Sequence, residues 1–422
     1  MMTTVTTTPV TAKHPESELR RDALVITLVG IAHGISHFFH MILAPLFPWI
    51  KEAFQLSYAE LGLLMTVFFV VSGVGQALAG FVVDKLGARA VLFFGISCLA
   101  VAALVLSAAQ NYAMLLLGAM LAGLGNSVFH PSDYTILNKK VSAARLGYAF
   151  SVHGISGNLG WASAPVFLVT IAGLYDWRTA LFAAAFLPVA VLILLFVYRE
   201  LLHTQVVPVS VTAMSPSSPA KPAEGAFDFL RLPAVWMCFG FFFMTAMALG
   251  GVQNFSSPVL RDLYGMSLGW ATMAYTAYML ASAAGMLWGG FLAAKTKQHD
   301  RIITIAFSVA GCLALLLSSG WPGAILALIL MMVIGFCSGV AGPSRDLLIR
   351  AAAPSNATGR VYGVVYSGLD TGLACAPLLF GALLDAHHPA WVFACIGLFQ
   401  VLAILTAVNV GSSTRAKALV AA

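Results

Sequence analysis

Five of the ten histidines in this 422-residue chain, His33, His37, His40, His130 and His153, lie inside long apolar runs. Imidazole titrates near pH 6.5, so such residues can carry protons, contact an anion or ligate a metal. On a helix turning 100° per residue, positions 33, 37 and 40 fall within about 60° of one another on one face. At about 1.5 Å per residue they cover roughly 10 Å of its length. His130 and His153 are expected on two other helices and at a different depth. Taken singly, each histidine could be neutral glue between helices. A group of five ionisable side chains in apolar runs points instead to a pathway.

Asp370 is the one acidic residue placed deep in an apolar run, about eleven residues into its helix. Burial makes a carboxyl group an exchangeable proton site, so coupling or substrate contact is expected there. Arg345 and Asp346, with Asp133 as their counterpart earlier in the chain, are expected near helix ends. Gate-type ion pairs or solvated ends suit them better than substrate contact. Tyr275, Tyr278 and Trp161 could line a cavity, although lipid or packing contacts suit them better.

The elements that must hold these residues follow from composition. Hydrophobic residues make up 60% of the chain and charged residues 9%, and the mean hydropathy is +0.91. A soluble domain carries about 25% charged residues, so most of this surface cannot face water. The six cysteines all sit in apolar segments without a CxxC pair, which excludes a disulfide scaffold. A helix needs roughly 20 apolar residues to cross a bilayer. Twelve such segments are predicted: 23–47, 57–82, 89–109, 112–136, 146–172, 177–198, 233–257, 268–293, 301–319, 322–346, 359–384 and 390–410. Runs such as Leu187 to Val197 do not alternate, which excludes a transmembrane barrel.

The polar, Thr-rich segment 1–22 lacks the features of a signal peptide and is expected to be a cytoplasmic tail. With twelve spans, only Lys51, Arg178 and Arg261 of the 22 basic residues fall on the outer side. Positive-inside bias therefore places both termini in the cytoplasm. It also explains the net charge of +6 without nucleic acid. The Pro- and Ser-rich stretch 199–232 reads as a cytoplasmic linker between halves 23–198 and 233–410, and 411–422 as a second tail.

The halves repeat. Pro48, Ser57 and Gly80 match Pro258, Ser267 and Gly290 at an offset of 210. Pro131-Ser132, Gly147 and Pro165 match Pro343-Ser344, Gly359 and Pro377 at 212, and the same offset aligns Asn158 with Asp370. Parallel six-helix repeats place a substrate site between them near mid-membrane.

The turn after the second span reads Gly80-Phe-Val-Val-Asp84-Lys85-Leu-Gly87-Ala-Arg89. It resembles the signature loop of the major facilitator superfamily, and the twelve spans extend that resemblance over the whole chain. The resemblance implies the superfamily fold, an all-α membrane protein of twelve helices in two six-helix repeats. It also implies a conformational latch at Gly80, Asp84, Lys85, Gly87 and Arg89, with Asp84 facing the start of the eleventh span near Gly359, where a helix dipole favours negative charge. Ser36-His37-Phe38-Phe39-His40, Gly125-Asn126-Ser127-Val128-Phe129-His130-Pro131 and Gly157-Asn158-Leu159-Gly160 resemble the fosmidomycin-resistance-type efflux subfamily. Met41 stands where that subfamily often carries an acid after the first histidine motif.

The expected activity is secondary active transport of a small organic solute by alternating access. Proton-coupled efflux across a bacterial inner membrane fits best, by an antiporter acting as a monomer. His33, His37, His40, Asn126, His130, His153, Asn158, Arg345 and Asp370 are the expected substrate and proton pathway. No cofactor, resident metal or nucleic-acid partner is expected. No phosphate-binding loop appears, which argues against direct ATP use. Uptake of an organic anion or a metal chelate is an alternative. A membrane metalloenzyme built on the His33-x-x-x-His37 pair is a remote one, because it would need further histidine motifs.

A single cysteine placed in the 199–232 linker is expected to react with membrane-impermeant maleimide in inverted vesicles. Labelling in intact cells instead would reverse the topology.

Overall fold

The computed structural model describes residues 15–204, 231, 233–296, 298–352 and 358–421. The helices are α1 (Pro15–His40), α2 (Phe47–Phe54), α3 (Tyr58–Leu86), α4 (Ala88–Ser107), α5 (Tyr112–Asn126), α6 (Phe129–Lys140), α7 (Leu146–Leu174) and α8 (Trp177–Val197), followed by α9 (Pro233–Tyr264), α10 (Leu268–Lys295), α11 (His299–Ser318), α12 (Ala324–Ala352), α13 (Thr358–Asp385) and α14 (Pro389–Ala421). They supply twelve segments long and apolar enough to cross a membrane. No strand occurs among the described residues. The twelve-span reading is borne out.

Two spans are interrupted where the sequence pattern suggested continuous helices. The first span is α1 plus α2, joined through Met41–Leu43 and a 3-10 turn at Ala44–Leu46. Pro45 and Pro48 lie in this stretch; neither has an N–H for a helical bond, and each ring crowds the carbonyl four residues back. The fourth span is α5 plus α6, broken at Ser127–Val128, four and three residues before Pro131.

Helix starts at one end of the bundle are capped by the residues best suited to accept backbone N–H bonds. Ser57 and Glu60 form a capping box on α3. Asn111 caps α5, Ser267 caps α10 and Asp176 caps α8. The Thr179 backbone and hydroxyl, with the Arg178 backbone, hold the Asp176 carboxyl below the usual carboxylate range.

In the first half α1 packs on α7, and α4 on α5 and α8; in the second, α10 packs on α12, and α9 on α13 and α14. The halves meet along α3 against α13 and α7 against α10. Near the capped end the first contact is very close. A Cβ on Gly62 would run into the Pro377 carbonyl, so only a bare backbone fits. Thr66 Oγ1 donates to the Ala374 carbonyl at 2.7 Å. Asp385, at the end of α13, accepts the Tyr58 and Ala59 N–H groups of α3, both at 2.7 Å. A carboxylate of one half thus sits on the positive helix end of the other.

Asp385→Ala strips two N–H groups of their partner. Loss of a comparable cap costs about 0.5–2 kcal/mol, which should loosen this closure. The measurement is maleimide labelling of a lone cysteine at Thr66, in a background with the native cysteines replaced. Faster labelling is expected, and an unchanged rate would mean Asp385 does not hold this end shut.

Candidate functional site

The face predicted on the first helix is present, and it is met by histidine side chains from two others. His33 and His153 stack with ring centroids 3.5 Å apart. His33 Nδ1 lies 3.3 Å and His153 Nε2 3.2 Å from the same carboxylate oxygen, Asp133 Oδ2. His37 lies between His33, at 4.3 Å, and His40, at 4.8 Å, with the Trp161 ring 4.3 Å away. His130 is 5.3 Å from His33 and 6.4 Å from His37. All five histidines therefore form one group, drawn from α1, α6 and α7.

Three expectations need correction. His130 and His153 do not lie apart from the α1 histidines, because packing of α6 and α7 against α1 sets them beside His33. Asp133 is neither a solvated end nor half of an arginine gate; it is fully buried between two imidazoles. Asp370 is consequently not the only deeply placed acid. Tyr275 and Tyr278 are buried in the protein, and Trp161 packs on His37 and His40 rather than on lipid.

The two span interruptions meet. His40 Nε2 shares a 3.0 Å hydrogen bond with Asn126 Oδ1, and Asn126 Nδ2 donates to Ser72 Oγ at 2.8 Å. Because the amide nitrogen is spent on Ser72, Asn126 Oδ1 accepts and His40 carries its proton on Nε2. The same argument applies at His130. Its Nδ1 lies 2.8 Å from Gln76 Oε1, while Gln76 Nε2 points to Asp370 Oδ2 at 3.4 Å. A continuous polar line thus runs from the histidines of the first half, through Gln76 of α3, to Asp370 of α13 in the second half. Asn158 makes the corresponding crossing on the other side, with Nδ2 approaching Met286 Sδ of α10 at 4.0 Å.

The Arg345 guanidinium lies 5.0 Å over the Phe242 ring. At the signature turn, Gly87 has a φ of 84°, a left-handed value that favours glycine. Arg89 donates to the Arg199 carbonyl and pairs with Glu200 within its own half. Lys85 closes α3, and Gly80 has open space around it. The Asp84 side chain, the Asp346 side chain and the surroundings of Gly359 lie outside the described residues, as does most of the expected linker.

Sequence reasoning missed Gln76, Ser72 and Asp133 as members of the site. Asp133 follows His130 by three residues, and Ser72 precedes Gln76 by four; both spacings place the pair on one helix face. A second missed set lies in the other half. Gln253 Nε2, Asn254 Oδ1, Ser256 Oγ and Ser257 Oγ of α9, with the Tyr275 hydroxyl of α10, are buried polar atoms without a protein hydrogen-bond partner. Such atoms are few in native structures and call for a partner from outside the chain.

Residues 29–366 match the sequence profile of the Major Facilitator Superfamily. The chain is 24% identical over 320 residues to the fosmidomycin resistance protein of Escherichia coli K12, covering 74% of each. It is 22% identical over 381 residues to the probable nitrate transporter NarT of Staphylococcus epidermidis, covering 89% of this chain and 93% of that one. In fold it is similar to a bacterial homologue of the human lysosomal transporter Spinster, crystallised inward-facing and unoccupied. The TM-score is 0.68 and the identity 15%, over 96% of this chain and 97% of that one.

Gly157 of α7 supplies the bare backbone on which the histidines rest. A Cβ there would stand 2.6 Å from His37 Nδ1 and 3.2 Å from His33 Nε2. Gly157→Ala is therefore expected to destabilise the protein by about 1–3 kcal/mol, as overpacking does. At Gly154 a Cβ would meet only Met286 Sδ, at 3.8 Å, so Gly154→Ala should be near neutral. Thermal unfolding of both variants in detergent checks the contrast; equal midpoints would show that the histidines yield to the added methyl.

Proposed function

Because the chain belongs to the Major Facilitator Superfamily, we propose that it is a proton-coupled secondary transporter that exports a small organic solute by alternating access. The observation that carries this reading is the bridge by which Gln76 links His130 in one half to Asp370 in the other. Ionised Asp370 accepts from Gln76 and ties α3 to α13. A proton on that carboxyl removes the negative charge that strengthens the bond, so the interface loosens when the proton arrives. Proton occupancy then biases which side of the bundle opens, which is what coupling requires.

The positive-inside count places the basic turns in the cytoplasm, and with them both termini. The closure between Asp385 and α3 then lies on the outer side of the cell membrane. The partnerless polar atoms of α9 and Tyr275 supply hydrogen-bonding capacity for a solute. Beside the histidines, an apolar groove of about 880 Å³ between α1, α7 and α10 suits a solute with a hydrophobic portion. Catalysis has no part in this reading. The similarity to a probable nitrate transporter favours a second one, uptake of a small anion.

The test is reconstitution in proteoliposomes with an imposed pH gradient, fosmidomycin being the first solute tried because a relative bears its name. The unmodified protein should drive solute uphill against proton flow. Asp370→Asn should lose the uphill movement by at least tenfold while keeping solute exchange. His37→Ala should alter the pH dependence as well as the rate. Full pH-driven flux in Asp370→Asn would overturn the coupling role, and gradient-driven entry of anions alone would favour the second reading.

A further inference from the structure

We propose that His33, Asp133 and His153 form a binding site for a late first-row divalent cation such as Zn²⁺ or Ni²⁺. The site goes beyond the transport reading and does not rest on it. Its three donor atoms, one from each of α1, α6 and α7, lie within 4.8 Å of one another. His33 Nδ1 and His153 Nε2 stand 3.3 and 3.2 Å from Asp133 Oδ2. Ligands held about 2.1 Å from a tetrahedral ion are about 3.4 Å apart, so both separations are close to the edges of a coordination polyhedron. The set of two imidazoles and one carboxylate suits zinc or nickel, whereas calcium and magnesium require oxygen.

Burial supplies an independent observation. His33 is 2%, Asp133 0% and His153 4% exposed, and Asp133 Oδ1 has no hydrogen-bond partner. Of the two imidazoles only His153 hydrogen-bonds the carboxylate, and His33 Nδ1 has no hydrogen-bond partner, so a cation would engage an otherwise unpaired donor atom and compensate the carboxylate charge. Binding requires each imidazole to carry its proton on the nitrogen turned away from the carboxylate, and the stacked rings to turn so that both in-plane lone pairs converge on the ion. The route inward is short, since the Tyr134 ring beside His153, at 5.1 Å, is 41% exposed.

His33, His37 and His130 also bring three donor atoms within 4.8 Å. That set lacks a carboxylate, and His130 Nδ1 is already engaged by Gln76. The i,i+4 pair of the first helix is therefore not the metal-binding unit; one member of it is, with partners from α6 and α7.

The test uses full-length protein purified without a polyhistidine tag, stripped with chelator and dialysed against Zn²⁺, with bound metal measured by mass spectrometry. One equivalent per chain is expected. X-ray absorption should show a nitrogen and oxygen shell at about 2.0–2.1 Å with imidazole scattering. Asp133→Asn and His153→Gln should each weaken binding at least tenfold, while His37→Ala, His130→Ala and His388→Ala should not. Where Asp133→Asn fails to fold, His153→Gln and the absorption spectrum of the unmodified protein decide. Binding below a tenth of an equivalent, binding unchanged in His153→Gln, or loss on replacing His37 or His130 alone would each overturn the assignment. None of these outcomes depends on solute flux.

Discussion

A carboxylate buried in an apolar bundle has to find its partners inside the protein, and Asp133 finds two imidazoles on one of its oxygens. Much of the site's architecture follows from that requirement. The two imidazoles reach this oxygen with their rings stacked, which brings α1 within touching distance of α7. Such an approach needs a residue without a side chain on the facing helix, and Gly157 is that residue. The remaining imidazoles then fill the space along α1 and hand their hydrogen bonds outward, through Asn126 to Ser72 and through Gln76 to Asp370. The last link crosses between the halves, so a local solution to a solvation problem becomes a connection between the two repeats.

The contact between the halves uses different physics at its two levels. Near the capped end the surfaces are held by backbone groups: the Asp385 cap, the Thr66 bond to a carbonyl and the close fit at Gly62. Deeper in the bundle side chains make the connection, Gln76 to Asp370 between α3 and α13 and Asn158 to Met286 between α7 and α10. At the first level the accepting carboxylate, Asp385, meets backbone N–H groups; at the second, Asp370 meets a side-chain amide.

The spans, their number and the repeat were legible in the sequence, because apolar length and landmark spacing are local properties. The histidine face on the first helix was legible for the same reason: 33, 37 and 40 share a face whatever surrounds them. What surrounds them was not. Asp133 stands six residues before Lys139-Lys140 and looked like part of a solvated helix end; only the tertiary approach of His33 and His153 reveals its burial. Gln76 gave no sign of partnering Asp370, 294 residues away. The interruptions at Met41–Leu43 and Ser127–Val128 were marked by prolines, but a hydropathy window long enough to define a span averages across a break of two or three residues.

Those interruptions bear on how the chain is made. Each leaves backbone groups without helical partners at membrane depth, where lipid offers none. Beside the breaks, His40 and Asn126 join across 86 residues of chain. The first span is therefore made before its counterpart, with an imidazole whose hydrogen-bond partner lies 86 residues further along the chain. The polar contact that shapes the finished site is thus one for which the growing chain has to wait until its fourth span arrives.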